Sequence, residues 1–532
     1  MNFTPLDWIV ICGYSLVLLG IAAWVTRHRQ QTASDYFLAG RHVGWFAIGA
    51  SLFASNIGSE HVVGLAGSGA STGIVLGHYE LHSWIILLLG WVFVPFYLRS
   101  GVFTMPEFLE RRYDKRSRWF LSVVMLVGYI LTKVSVTVYA GGVMLQGLIG
   151  VNFWTGAITV VILTGLYTVL GGLRAVVYTE ALQAVVLIGG SAAVTGFGLI
   201  EIGGWNELKR LVGSDLLNMW KPLNHPEFPW LGMILTPPIV GIWYWCTDQY
   251  IVQRVLAAKS ETVARRGAIF GAYLKLSAVF LFIVPGLIAL GLANSGRLVL
   301  TEADQALPAL VGLVLPEGLR GLVAAGLLAA LMSSLAAVFN SCSTLLTMDF
   351  YRLLHPKAHD TRLIRVGRLG TVAIVCLGIL WIPIMRMFSS ELYTYLQNVQ
   401  AYIAPPIAAV FLLGLLSTKI TATGAISTLV VGFIIGMVKL VLELWPGELP
   451  SILSWLAGIN FLYFGFGLFV FCLGLLVAIS LTTKPKPTTQ LSGLTFKTIR
   501  RNTQSRSWTP MDLVHSLVII GLVLAVMAYF TG

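Results

Sequence analysis

Residues 51–69 read SLFASNIGSEHVVGLAGSG and lie between two strongly apolar runs. The stretch is too polar and glycine-rich for a helix that faces lipid, and its flanks are too apolar for a surface loop. It sets Asn56, Glu60 and His61 among Gly58, Gly64, Gly67 and Gly69. Close helix packing alone explains glycines in a membrane. It does not explain a carboxylate and an imidazole, because ionisable residues at that depth are costly and mark pathways or binding sites. A helix break here frees the carbonyls of Ala54 and Ile57, one turn apart. Unpaired backbone at membrane depth is tolerated only where it lines a cavity or is buried in protein. Many secondary transporters build their midplane site from interrupted helices.

The composition supports that depth. Of the 532 residues, 57% are hydrophobic and only 11% charged, where a soluble chain carries roughly 25%. About fourteen apolar runs recur, near 6–26, 45–70, 83–98, 119–149, 152–170, 179–201, 231–249, 268–293, 318–348, 367–388, 395–415, 421–443, 453–482 and 511–531. Runs of about 20 residues cross the hydrocarbon core, so the chain reads as an all-α polytopic membrane protein. The first run begins near Asp7, ends at Arg27 and Arg29, and lacks the basic leader of a cleaved signal peptide.

A formal charge of +12 invites a nucleic-acid partner, and the placement of that charge argues against one. Basic residues gather in alternate loops: Arg27, Arg29 and Arg41; Arg99 to Arg118; Arg254 to Arg266; Arg352 to Arg368; and Lys484 to Arg506. This pattern predicts a multi-pass protein of the plasma (inner) membrane with both termini extracytoplasmic, its partner the lipid bilayer. Cys12, Cys246, Cys342, Cys376 and Cys472 form no CxxC pair. The sequence offers no P-loop, metal-ligand cluster or nucleophile–base pair, so an enzyme is not expected. The segment from Thr482 to Pro510 is basic, proline-bearing and polar, and reads as a flexible cytoplasmic linker.

A second candidate break lies at TPPIVGIWYWCTDQ, residues 236–249, where Pro237 and Pro238 remove donors and Gly241 loosens the turn beyond. Two interrupted spans five apart suit an inverted five-plus-five repeat. A third element is LAALMSSLAAVFNSCSTLLTMDFYR, residues 328–352. Its Ala330, Ser333 and Ser334 share one helix face. Serines in a membrane helix commonly bond their own i−4 carbonyls. Set opposite Ala54 and Ile57, however, the two hydroxyls and the Ala330 carbonyl complete five neutral oxygens, the ligands a small hard cation takes. With no carboxylate among them affinity is modest, as suits an ion released on every cycle.

Seven segments now carry a resemblance. FASNIGSEHVVGLAGSG, TMPEFLERRY, YTVLGGLRAVVYTEALQ, WYWCTDQYIVQR, YLKL, LMSSLAAVFNSCSTLLTMD and PPIAAVFLLG follow one another between about residues 35 and 420. In that order they resemble the sodium/glucose cotransporters of the solute:sodium symporter family. The resemblance implies a LeuT-type five-plus-five inverted repeat within about 14 transmembrane helices. A first helix and cytoplasmic loop (1–44) precede the first repeat (45–203), an extracellular loop (204–229) and the second repeat (230–415). Additional C-terminal helices (416–532) contain a basic linker at 483–509. The resemblance also implies Na+ as coupling ion, held by Ala54, Ile57, Ala330, Ser333 and Ser334. A sugar site is implied at Asn56, His61, Glu80, Tyr244, Trp245, Lys275 and Gln397, with Tyr244 as inner gate. Trp245 also suits an interfacial anchor.

The implied function is sodium-driven import of a hexose such as glucose or galactose by alternating access. The alternatives are a symporter of myo-inositol, another polyol or another organic solute, and a sodium-independent facilitative carrier. Oligomeric state is left open. The chain departs from the family at Gly241, where sugar carriers have Thr or Asn, at Gln400, which replaces a smaller residue, and at His82 and Ser83. Some carriers of the family couple a second sodium through hydroxyls just after the paired serines and an acid in a Tyr-Thr-acid motif. Here those positions are Ala336 and Ala337, which offer no side-chain oxygen; Ser55 remains, and Glu180 stands where Asp is frequent. The expectation is one sodium per solute.

Overall fold

A hydrocarbon interior offers backbone groups no water to bond, so apolar runs of this length must satisfy their own hydrogen bonds as helices. The computed structural model describes residues 3–27, 30–385, 392–445, 447, 450–499 and 507–532. Arg29 and residues 500–506 of the basic linker lie outside the described residues. Among the described residues ten helices are long and apolar enough to cross a membrane: Pro5–Thr26, Gly77–Ser100, Phe153–Ile202, Glu261–Asn294, Leu319–Leu354, Asp360–Leu380, Leu396–Leu416, Ala422–Glu443, Phe461–Thr482 and Pro510–Tyr529.

The remaining expected runs fall on interrupted or fused helices. The 45–70 run divides into Trp45–Asn56 and Ser59–Ser71. The 119–149 run passes through a π-helical turn at Tyr129–Val134. The runs at 152–170 and 179–201 form one 50-residue stretch, Phe153–Ile202, turned at Gly172 with φ 57° and ψ −156°. A Cβ there would press on the Tyr36 carbonyl oxygen at 2.5 Å, so Gly172 serves both the positive φ and the close approach.

The second break lies later than the prolines suggested. Helix Trp230–Gly241 runs straight through Pro237 and Pro238 and opens only in a π-helical turn at Ile242–Thr247, ahead of extended Asp248. Neighbouring helices in a membrane can hold a proline-bearing segment helical. Here the Thr236 hydroxyl donates to the Leu462 carbonyl of helix Phe461–Thr482.

The helices that follow the two interrupted segments carry matching irregularities. Gly77–Ser100 has a π-helical turn at Leu89–Phe93 directly ahead of Pro95, and Glu261–Asn294 has one at Val279–Ile283 directly ahead of Pro285. Proline has no N–H to give, so the ladder widens by one residue at each site.

Two helix pairs make the most extensive contacts, each the centre of a group, and the groups touch where Trp45–Asn56 also meets Phe153–Ile202. Trp45–Asn56 lies along Glu261–Leu276, while Phe153–Ile202 lies along Leu319–Leu345. Pro5–Thr26 joins the second group. Its Asp7 accepts from the backbone N–H groups of Gly318 and Gly321, each at 2.8 Å, at the start of the Leu319 helix, where a carboxylate meets the positive end of the helix dipole. Pro510–Tyr529 joins the first group. Its Asp512 pairs with Arg266 at 3.0 Å, and its Ser516 hydroxyl accepts from Trp91 Nε1 at 2.9 Å. Outward-facing Ile9, Leu16, Ile200, Leu380 and Leu524 are exposed, the surface a lipid environment requires.

The linker is less free than its polarity implied. Leu491 and Thr495 are fully buried, the Phe496 N–H bonds the Leu415 carbonyl at 2.9 Å, and the Phe496 ring meets Phe96 edge-on at 4.9 Å. A few apolar side chains anchor a segment whose average composition is that of a tether.

Candidate functional site

The helix begun at Trp45 ends where Ile57 turns to φ −83° and ψ 100°, and Gly58 follows in an extended conformation. A side chain at 58 would overlap the Glu60 carboxylate, which folds back over this position at the start of the next helix. Carbonyls left without helical donors take them from the Leu319 helix instead. The Ser333 hydroxyl lies 2.8 Å from the Ala54 carbonyl oxygen and 3.0 Å from that of Ala330. The Ser334 hydroxyl donates to the Ser55 carbonyl at 3.3 Å.

Three of the five expected cation ligands, Ala54, Ala330 and Ser333, thus form one hydrogen-bonded set, with Ser334 on the adjoining carbonyl. Ile57 lies in the break and is fully buried, but neither hydroxyl bonds its carbonyl. The set offers buried neutral oxygens from two separate helices, which fit a small hard cation such as sodium.

The Asn56 side chain serves a second site. Its Oδ1 accepts from Lys275 Nζ at 2.8 Å and its Nδ2 donates to the Tyr244 hydroxyl at 2.9 Å. Lys275 Nζ is 2.6 Å from Glu80 Oε2 and 5.8 Å from the Trp245 ring centre. Tyr244 and Trp245 meet edge-to-face at 5.2 Å. All of the residues expected to hold the solute, Gln397 and His61 included, line one cavity. Trp245 is 1% exposed and forms a cavity wall, so it is not an interfacial anchor. The cavity is narrow, with about 30 Å³ of free space. That admits a water molecule, and a larger solute must part the walls. Gln397 Oε1 is buried without a hydrogen-bond partner among the described residues.

Two basic residues escaped the sequence argument. Lys133 lines the same cavity, its Nζ 2.6 Å from Glu60 Oε1, while Thr137 bonds Glu60 Oε2 at 3.2 Å and His61 Nδ1 lies 3.7 Å from Glu60 Oε1. A lone lysine in the run YILTKVSVTVYA was the available signal, because an intramembrane ammonium seeks a carboxylate.

Arg254, expected in a basic loop, is fully buried, with Nη2 2.8 Å from Glu180 Oε1. It lies too close behind the Asp248 break to reach water. Glu180 also accepts from Ser55 at 3.0 Å and from Ser51. Arg254 in turn donates to the Tyr250 carbonyl, and the Tyr250 hydroxyl donates to that of Tyr244.

Interrupted helices that turn carbonyls toward a cation-type cage and a side chain toward a polar cavity define an ion-coupled membrane carrier. The model of the Sodium:solute symporter family matches residues 36–432. The chain belongs to that family; it is an integral multi-pass membrane protein, and its coupling ion is sodium. It is similar to sodium/glucose cotransporter 2 of Rattus norvegicus, with 40% identity over 94% of this chain and 82% of that protein. Sodium/myo-inositol cotransporter 2 of Mus musculus is 36% identical over 97% of this chain and 83% of its own. The fold of this chain is similar to that of a substrate-bound, outward-open Na+-coupled sialic acid symporter, with TM-score 0.80 and 21% identity over 91% of this chain and 99% of that one.

Proposed function

We propose that the protein imports a sugar, a hexose such as glucose or galactose, with one sodium ion per solute, by alternating access. The observation that carries this reading is the last turn of helix Trp45–Asn56, just ahead of the break at Ile57 and Gly58. Its Ala54 carbonyl meets Ser333 of the Leu319 helix, while its Asn56 side chain meets Lys275 and Tyr244 at the cavity. Sodium held by Ala54, Ile57, Ala330, Ser333 and Ser334 would fix the break, and a fixed break orients Asn56 for solute. The coupling is reciprocal: each ligand raises the affinity for the other.

The cavity chemistry supports a polyhydroxylated solute. Hydroxyls both donate and accept, and Glu80, Lys275, Asn56 and Gln397 supply both functions. Tyr244 and Trp245 offer flat faces to the apolar side of a pyranose, and Tyr244 closes the inner side. The similarity to a sodium/glucose cotransporter points the same way. A cyclic polyol is the second reading, favoured by Gly241, which brings no side chain to the cavity, and by similarity to a sodium/myo-inositol cotransporter.

One sodium per solute follows from Ala336 and Ala337, which offer no oxygen, and from Glu180, whose charge Arg254 already balances. One charge falling through about 100 mV releases about 2.3 kcal/mol, and a tenfold sodium gradient adds about 1.4 kcal/mol. The sum, about 3.7 kcal/mol, sustains roughly 500-fold accumulation. The proposal includes fourteen crossings, with repeats at 45–203 and 230–415 and both termini extracytoplasmic.

Reconstitution into liposomes tests the function. Labelled sugars, polyols and amino acids are offered with and without an inward sodium gradient, and hexose is expected to accumulate only with it. Hexose uptake indifferent to sodium, or accumulation confined to amino acids, would overturn the reading.

A further inference from the structure

We propose that His82 is a specificity-determining residue whose imidazole Nε2 hydrogen-bonds a solute hydroxyl; this rests on the sugar-or-polyol reading above. His82 sits at the turn between helices Gly77–Glu80 and Ser83–Leu88, two residues beyond the carboxylate that pairs with Lys275. It is 6% exposed and lines the solute cavity. Across from it stands Gly241. A Cβ there would overlap Ile85 Cδ1 and come within 3.0 Å of His82 Nδ1, so the imidazole fills the space a side chain at 241 would need. The His82 ring is held edge-on to Tyr79 at 5.8 Å.

What separates His82 from a residue that merely packs is its hydrogen bonding. Lys275, Glu80, Asn56 and Tyr244 satisfy one another in the cavity. His82 Nε2, the Tyr79 hydroxyl and Gln397 Oε1 are buried with no partner among the described residues. Buried polar groups without partners are rare and unfavourable, and here the three residues that carry them line one cavity. An apolar side chain would fill the same space without that penalty. Groups already paired frame the cavity, whereas groups left unpaired gain most from a solute and lose most when the solute lacks the matching hydroxyl. Imidazole can donate or accept at Nε2 according to its tautomer, which suits a hydroxyl in either role.

The experiment measures sodium-driven uptake of the transported solute and its monodeoxy analogues by wild type, His82→Gln and His82→Phe in liposomes. Wild type is expected to discriminate against one deoxy analogue by at least about tenfold. In His82→Phe that ratio falls toward one and the solute KM rises about tenfold. The sodium concentration for half-maximal uptake stays unchanged, and His82→Gln keeps part of the ratio. Should His82→Phe fail to reach the membrane, His82→Gln must still shift the deoxy ranking. Solute uptake with the wild-type ranking in the variants that fold overturns the proposal alone. A wild-type protein that moves no sugar or polyol overturns the function reading, and this proposal with it.

Discussion

Ser333 and Ser334 present hydroxyls to two consecutive carbonyls of another helix, Ala54 and Ser55. In the proposed sodium site, Ser334→Ala removes one neutral ligand, worth about 1 kcal/mol, and should raise the sodium concentration for half-maximal uptake about fivefold. An unchanged sodium curve would move the site elsewhere. Gln397→Ala makes the cleaner solute test, because Gln397 Oε1 has no partner to abandon among the described residues. Its solute KM should rise at least about tenfold while sodium binding, read by isotope or fluorescence, persists. Glu80→Ala would also strand the Lys275 ammonium, at about 3–5 kcal/mol, and confuse binding with stability. Asn56, Glu60 and His61 stood out in the sequence because a polar group at membrane depth needs a reason to be there, whereas Glu80, Tyr244, Lys275 and Gln397 came from the family resemblance. The partners of Glu60 and Glu180 were not legible, since Lys133 finds Glu60 and Arg254 finds Glu180 across more than seventy positions of chain.

At the scale of elements, the glycines of the opening stretch divide their labour. Gly58 makes room for the Glu60 carboxylate, while Gly69 lets helix Ser59–Ser71 touch the backbone of Val284–Asn294 and the turn before it. Gly286 is the reciprocal contact, where a Cβ would overlap the Ala66 carbonyl. Overpacking costs about 1–3 kcal/mol where neighbours can shift, and a carbonyl inside a helix shifts little. Gly286→Val should therefore lose most of its monodisperse protein on detergent extraction, whereas a normal elution profile would mean the two helices can separate. The first break was legible because polar residues and glycines coincide there. The second fell within the expected stretch 236–249 but beyond its prolines, because the Thr236 contact and surrounding helices keep the proline pair helical. The turn at Gly172 inside one continuous stretch was hidden for a related reason: adjacent apolar runs do not reveal how their helices join.

For the whole molecule, the central prediction is stoichiometric. Reversal potentials in liposomes should give one sodium per solute. A ratio of two would require Glu180 to release Arg254 and oxygens to arrive near Ala336 and Ala337. The class was legible from composition alone, while the grouping of helices was not, because apolar surfaces carry no address for their partners. That grouping has a practical consequence. The Pro5–Thr26 helix rides on one group and the Pro510–Tyr529 helix on the other, so the two outermost helices are a built-in ruler. Spin labels on exposed Cys12 and on Leu524→Cys, with Cys376→Ser to silence the other exposed thiol, would straddle the two groups without touching either site. If alternating access is a rocking of one group against the other, their separation shifts when sodium and solute are supplied together. An unvarying separation would place the motion inside the groups instead. A spectrometer could then follow each transport cycle from the lipid side, with the cavity itself left unlabelled.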